Sequence, residues 1–362
     1  MSRALSGYLG DPANLRFLLL VALWYMCSSL TNNTDKVILN SLPFPATLTY
    51  FQFALAVPFS LLFARTGFGG ITLVRPTWQV VRIALPFCLF RILGHVSASI
   101  SLWLVPVSYA HTVKALGPLF SVFLSRVILG TSFSTLTYLS LLPLISGVIL
   151  ATATEINFNL AGTAAALFSV FVLSLQSIYS KKLFVSQALD EANLLFHTSL
   201  LSALALTPYW FLFEAGEIDW SGMTASTSLF VIFNGFTQYG QCICAFLVVS
   251  LTNPVTYSIA SLFKRVFVIV LALLWFGNPI TLLNLLGILT TFLGLFLYQK
   301  SRTIDHQHKT HGGSGGGKDR GFSPDGIISS SNDTLLKIPF MSSSSDRLPS
   351  FVQHGNGKVS FR

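Results

Sequence analysis

Long apolar runs, each close to twenty residues, recur from Arg16 to Tyr298 and are separated by short polar or turn-forming segments. Such runs predict membrane-spanning helices, because about twenty residues at 1.5 Å rise cross the hydrocarbon core. Ten are predicted, near 16–35, 44–64, 80–104, 107–129, 134–153, 160–180, 192–213, 226–250, 254–276 and 279–299. Turn signals part them at Leu42-Pro43-Phe44-Pro45, Gly67-Phe68-Gly69-Gly70, Asn253-Pro254 and Gly277-Asn278-Pro279. The expected fold is an all-α polytopic membrane protein: a cytosolic N-terminus (1–15), two five-helix halves (16–153 and 154–300) and a disordered cytosolic tail (301–362).

The loops carry the orientation. With ten spans both termini lie on one side, and Arg3, Arg16, Arg65, Arg75, Arg82, Lys181, Lys182, Lys300 and Arg302 fall on or near it. Asp35, Lys36, Glu155, Glu214, Glu217 and Asp219 fall opposite. Positive charge marks the cytoplasm, so the termini are expected there. Fewer than twenty residues precede the first run, too few for an organelle transit peptide, and that run is expected to be a retained first helix.

The two halves echo one another. Val107-Ser108-Tyr109 resembles Val255-Thr256-Tyr257, and Gly130, Ser134 and Gly147 recur as Gly277, Thr281 and Gly294. Ser180-Lys181 in the sixth run matches Asp35-Lys36 at the end of the first. Five crossings are odd in number, so a second copy enters the membrane inverted, as in many secondary carriers.

Composition fits lipid as solvent. The chain of 362 residues is 52% hydrophobic and 10% charged, with a mean hydropathy of +0.67. A water-soluble domain carries roughly a quarter charged residues. The net charge of +9 does not indicate nucleic acid, since the basic residues lie beside or inside apolar runs rather than on a solvated face. Cys27, Cys88, Cys242 and Cys244 sit at membrane depth, where packing is expected rather than disulfides, and Cys242-Ile-Cys244 lacks metal-site spacing. No Ser-His-Asp or metal-ligand constellation is found, and neither an enzyme nor a cofactor is expected. After Tyr298 the His311–Gly317 and Ser342–Ser345 stretches are low in complexity. Asn32-Asn33-Thr34 has the form of a glycosylation acceptor.

The chemistry lies in the charges within the runs. All 13 acidic residues are assigned to termini, loops or tail, whereas Arg91, Lys114, Arg126, Lys264 and Arg265 fall inside. A charge at the bilayer centre costs about 2.5–3.5 kcal/mol even on a lenient scale. Arg126 lies near a helix end and is expected to snorkel. Lys114 lies two turns into its helix, roughly 10 Å deep, and the repeat places Lys264 and Arg265 at a corresponding depth. His111 and Lys114 share a face, as do Arg91 and His95, with Ser97, Ser99 and Ser101 beyond. Tyr257, Ser261 and Lys264 form one stripe, from which Arg265 diverges by about 100°. A phosphate dianion answers such cations: lysine supplies a point charge and arginine a bidentate fork. An empty carrier leaves the cations unpaired, which favours obligatory exchange.

At these residues the chain resembles the triose-phosphate/phosphate translocator branch of the drug/metabolite transporter superfamily, nearest the solute carrier 35 subfamily E. The motifs are Val107-Ser108-Tyr109-Ala110-His111-Thr112-Val113-Lys114-Ala115, Ser125-Arg126 and Ser258-Ile259-Ala260-Ser261-Leu262-Phe263-Lys264-Arg265, with weaker Gly94-His95 and Ser180-Lys181-Lys182. The resemblance implies antiport of a phosphorylated sugar or other small organic phosphate against inorganic phosphate, in an endoplasmic reticulum or Golgi membrane. By position it implies Lys114, Lys264 and Arg265 on phosphate, and His95 with Tyr239 or Gln241 and Tyr257 on the organic moiety. Arg91, Ser97, Ser99, His111 and Ser261 are further candidates. Gly117 and Ala98 depart from the plastid pattern and leave the sugar end open. Two other functions stand beside this one: a nucleotide-sugar/nucleotide-monophosphate exchanger, and a non-transporting interaction protein of the secretory pathway.

Overall fold

The structure, a computed structural model, describes residues 12–67, 73, 78–186, 191–220, 225–252 and 254–311. Two compact units divide the chain, Met1–Pro324 and Asp325–Arg362, and the second falls wholly outside the described residues. So do Arg3, Arg75, Phe68-Gly69-Gly70, Asn253 and the low-complexity stretches, while Ser180, Lys181 and Lys182 are described in backbone alone.

Among the described residues eleven helices follow one another: α1 Pro12–Ser41, α2 Pro45–Thr66, α3 Trp78–Leu104, α4 Val107–Lys114, α5 Gly117–Leu129, α6 Thr135–Ala153, α7 Leu160–Ser186, α8 Glu191–Phe213, α9 Ala225–Leu251, α10 Pro254–Phe276 and α11 Leu282–His311. Ten spans are long and apolar enough to cross a membrane, α4 and α5 together making the fourth. The protein is an integral membrane protein. Its outer surface agrees: Phe211, Leu212 and Leu274 are 71%, 74% and 75% exposed, which water would penalise and lipid does not.

Two boundaries differ from expectation. The first helix runs on to Ser41, so Asp35 and Lys36 belong to the bundle rather than to a loop. Lys36 Nζ donates to the carbonyls of Trp103 and Val105, at 2.9 and 3.2 Å, where α3 ends before Pro106. A cation is favoured there by the free carbonyls of a helix C-terminus. At the other end α11 continues to His311, past the expected start of the tail, and Asp305 explains part of that: its Oδ2 accepts from Ser134 N (3.4 Å) and Thr137 Oγ1 (3.0 Å) at the N-terminus of α6. Glu214 does the same for α2, accepting from Thr47 N and Thr47 Oγ1, both at 2.6 Å. The α2 N-cap residue, Phe44, has no side-chain acceptor, so this carboxylate arrives from the end of α8.

The helices pair across the halves. α6 packs on α11, α3 on α7, α1 on α9 and α2 on α8; α2 also meets α9, and α3 meets α8. α10 leans on α1 and α4, and α7 on α4 and α5. The sequence matches occupy like positions in this scheme. Gly130 and Gly277 end α5 and precede α11 with φ of 65° and 60°, the left-handed geometry that glycine adopts without strain. Ser134 Oγ accepts from Thr137 N, and Thr281 Oγ1 from Asn284 N, each an N-cap three residues ahead. Gly147 and Gly294 lie where α6 and α11 touch through backbone. A Cβ on Gly147 would stand 2.3 Å from Thr291 N, and one on Gly294 2.3 Å from Leu144 N. Nearby, Asn284 donates to Ala151 O and to Glu155 Oε2, and burial pushes the Glu155 carboxyl above its usual range.

Gly147→Ala and Gly294→Ala are each expected to cost about 1–3 kcal/mol by overpacking, read as a lowered unfolding midpoint in detergent. Gly216→Ala, with nothing within 4 Å of the added carbon, serves as the control and should leave the midpoint in place.

Candidate functional site

The fourth span is broken because of Pro118. Its ring nitrogen carries no proton, so it cannot donate to the carbonyl of Lys114 four residues back. α4 stops at Lys114, Ala115 and Leu116 form a turn, and α5 restarts at Gly117. The orphaned carbonyl finds a partner on another helix: Arg265 Nη1 donates to Lys114 O at 2.8 Å. One residue type, proline, thus places a cationic side chain from α10 against the lysine of α4. The N-terminus of α5, with its partial positive charge, faces the same space through Gly117, Pro118 and Ser121.

That space is a cavity of about 430 Å³ between α1, α4, α5, α7, α10 and α11. Lys114, Lys264 and Arg265 line it together with His111 and Ser261. Further hydroxyls come from Ser28, Ser121, Ser174, Ser177 and Tyr298, and Val170, Leu173 and Val268 supply its apolar wall. Among the described residues its lining holds three cations and no carboxylate. An anion with several acceptor oxygens, partly desolvated, is the guest such a wall favours. Among the described residues no group of three or more His, Cys, Asp or Glu is placed to hold a metal ion.

Lys264 is positioned by packing. Lys264 Nζ lies 4.8 Å from the centroid of the Trp24 ring, a cation–π contact that orients the ammonium without neutralising it. Trp24 in turn stacks on Tyr257, with centroids 5.4 Å apart and planes 14° from parallel, and Tyr25 OH donates to Ala260 O at 2.6 Å. These aromatics fasten α1 to the first turns of α10. His111 Nε2 pairs with Asn32 Oδ1 at 2.8 Å, which holds α4 to α1.

Beyond His111 lies a polar layer. The Asp35 carboxylate accepts from Gln52 Nε2 (2.8 Å) and Asn234 Nδ2 (2.7 Å), clasping α1, α2 and α9, and its charge reaches Lys114. Thr31 bonds Thr237, and Thr49 bonds Ser99. The expectation that every carboxylate lies outside the spans is therefore corrected: hydropathy falls off through Asn32, Asn33, Asp35 and Lys36, yet their helix turns these groups inward. For the same reason Asn32 is no glycosylation acceptor in the folded chain, since its side chain bonds Ser28 O and His111.

The remaining predicted residues stand apart from the cavity wall. Ser99 is consumed by Thr49. Tyr257 backs Trp24, Gln241 bonds Gln238, and Tyr239, 2% exposed, packs among Phe59 and Phe63. His95 meets the Phe53 ring edge-on, and the Arg91 guanidinium lies 5.0 Å from the centroid of that ring. Ser97 is half-buried on α3, and Arg126 is exposed in the last turn of α5. Sequence reasoning missed Trp24, Ser28, Asn32 and Asp35. Their spacing of four, four and three marks one face of α1 and was a usable signal.

With this geometry in place the chain can be compared with known proteins. The sequence profile of the Triose-phosphate Transporter family matches residues 15–299. The chain belongs to that family. It is therefore a transporter by descent and not an enzyme. A Schizosaccharomyces pombe protein named as a transporter is 38% identical over 298 residues, covering 79% of this chain and 66% of that one. The phosphoenolpyruvate/phosphate translocator 1 of Oryza sativa subsp. japonica is 32% identical over 301 residues, covering 80% and 73%. A solved crystal structure shares the fold, with a TM-score of 0.53 and 18% identity over 81% of this chain and 98% of its own.

Arg265 and Pro118 are expected to be coupled. Pro118→Ala restores an N–H that can serve Lys114 O, so it should stabilise an Arg265→Ala background more than the wild type, by about 1 kcal/mol. A double-mutant cycle of thermal midpoints in detergent reads the difference; strict additivity would dismiss the capping role.

Proposed function

We propose that this chain is an antiporter exchanging a small organic phosphate, such as a phosphorylated sugar, for inorganic phosphate by alternating access. The observation that carries the reading is the convergence of Lys114, Lys264 and Arg265 on one cavity whose lining, among the described residues, offers them no carboxylate. Phosphate supplies the missing charge and enough acceptors for two ammonium groups and a guanidinium. His111, Ser261 and the α5 N-terminus add donors. The family match, and a relative named for phosphate exchange, agree with it.

The exchange mechanism follows from the cost of empty closure. Sealing three cations away from water with nothing opposite them is strongly unfavourable, so the carrier reorients with a guest aboard. Asp35 offsets Lys114 in part, while Lys264 and Arg265 are held by a ring and a carbonyl rather than by a carboxylate. We read the two exposed states as related by an inverted repeat. Exchanging the first five spans for the last five carries the α3–α7 contact onto α9–α1 and α2–α9 onto α8–α3, while α6–α11 maps onto itself. The matched glycines and N-caps support the same symmetry. His95, Tyr239, Gln241 and Tyr257 are not among the residues lining this cavity, and the reading assigns them no contact with phosphate. The loop charges support cytosolic termini, and the resemblance to the solute carrier 35 subfamily E supports an endoplasmic reticulum or Golgi membrane.

Purified protein in liposomes loaded with phosphate is expected to take up labelled phosphate rapidly, and unloaded liposomes to take up little. Lys264→Ala should reduce the exchange at least tenfold, the loss of one charge-assisted contact. Equal uptake with and without internal phosphate would sink the antiport reading.

A further inference from the structure

His111 lines the cavity beside the three cations, and its hydrogen bonding fixes which ring nitrogen holds a proton. Asn32 decides the matter. Its Nδ2 donates to Ser28 O at 2.6 Å, so its Oδ1 is the atom that meets His111 Nε2 at 2.8 Å. Turning the amide over would set oxygen against oxygen at Ser28, which excludes the alternative. An amide oxygen only accepts, so Nε2 carries the proton.

The other nitrogen, Nδ1, then keeps a lone pair. It has no hydrogen-bond partner among the described residues, and it is not sealed from the cavity that the ring lines. A second proton there would add a fourth cation to a wall that, among the described residues, holds no carboxylate. Asp35, in the adjoining layer, is already engaged by Gln52 and Asn234. The ring is therefore neutral, and Nδ1 is a fixed acceptor among polar side chains that are otherwise ammonium, guanidinium and hydroxyl. Hydroxyls rotate to donate or accept as a guest demands. Nδ1 cannot.

Tetrahedral oxoanions divide into two groups before such a wall. The hydrogen phosphate dianion has three bare oxygens, which answer Lys114, Lys264 and Arg265, and one O–H, which answers Nδ1. Sulfate has the same charge and shape but no proton, so one of its oxygens meets Nδ1 lone pair to lone pair. We infer that His111 is a specificity-determining residue that accepts the O–H of inorganic phosphate and turns away oxoanions that carry no proton. This rests on the phosphate-exchange reading above and deepens it by stating which anions can serve as counter-substrate.

Competition in liposomes tests this. Labelled phosphate is exchanged against internal phosphate, with unlabelled phosphate, arsenate, sulfate or selenate outside, at a pH where phosphate and arsenate are chiefly dianions. All four then carry the same charge. Phosphate and arsenate bring an O–H, sulfate and selenate do not, and each pair contains a smaller and a larger anion, which separates protonation from size. Wild-type protein is expected to be inhibited by arsenate about as readily as by phosphate, and by sulfate and selenate only at about tenfold higher concentration or more. His111→Gln keeps an N–H within reach of Asn32 and removes the Nδ1 lone pair, and it should close most of that gap. A histidine that only ties α4 to α1 would lower exchange while leaving the ratio between the two pairs unchanged, which overturns the inference; so does a wild type that takes sulfate as readily as arsenate. If His111→Gln yields no exchange-competent protein, Asn32→Asp decides. A carboxylate opposite Nε2 favours the doubly protonated ring and turns Nδ1 into a donor. Admission of sulfate by that variant supports the acceptor role, and an undiminished gap refutes it. Absence of wild-type phosphate exchange defeats the parent reading, whereas exchange without preference between the pairs defeats this one alone.

Discussion

Charge buried without its opposite governs this molecule. A bundle of apolar helices has every reason to exclude cations, because removing one from water costs several kcal/mol that packing does not return. Here three of them are held around one cavity by specific devices: an aromatic ring beneath Lys264, a carbonyl orphaned by Pro118 that ties down Arg265, and a carboxylate one layer away from Lys114. None of these neutralises the site fully. The arrangement fixes where the charges point and leaves them short of a counter-charge, which is the condition under which a protein binds an anion strongly and specifically.

The same devices tie the site to the fold. Arg265 joins α10 to the end of α4, Trp24 and Tyr25 join α1 to α10, and Asn32 with His111 joins α1 to α4. These contacts surround the cavity, so whatever enters it touches the fastenings between helices from both halves. Beyond them, the Asp35–Gln52–Asn234 clasp and the Thr49–Ser99 pair close the interior with hydrogen bonds rather than with apolar packing. Polar closures of this kind can be remade without tearing a hydrophobic core, which suits a layer that opens and shuts on the proposed cycle.

How much of this could be read from the chain depended on how far each signal reached. Ten spans were legible because hydropathy is a local property, and the cations stood out because a lysine or arginine inside an apolar run is conspicuous in itself. The break at Ala115–Leu116 was not: Pro118 stands in the sequence, but Pro58, Pro86, Pro143 and Pro208 lie inside helices that continue past them, so a proline alone does not announce where a span parts. Asp35 was misplaced because hydropathy fell before the helix did. Trp24 and Lys264 are far apart in sequence, and nothing near either announces the other. The small-residue matches between halves were visible as a pattern, but their meaning as caps and as a close crossing required the neighbouring backbone.

The α6–α11 crossing carries one more implication. Where glycines let two backbones meet, backbone atoms of one helix lie directly against the other, so the pair has little room to slide or tilt. It forms a keel along one flank of the bundle. On the alternating-access reading proposed above, this crossing is the contact least able to change, and rearrangement falls to the other helix pairs.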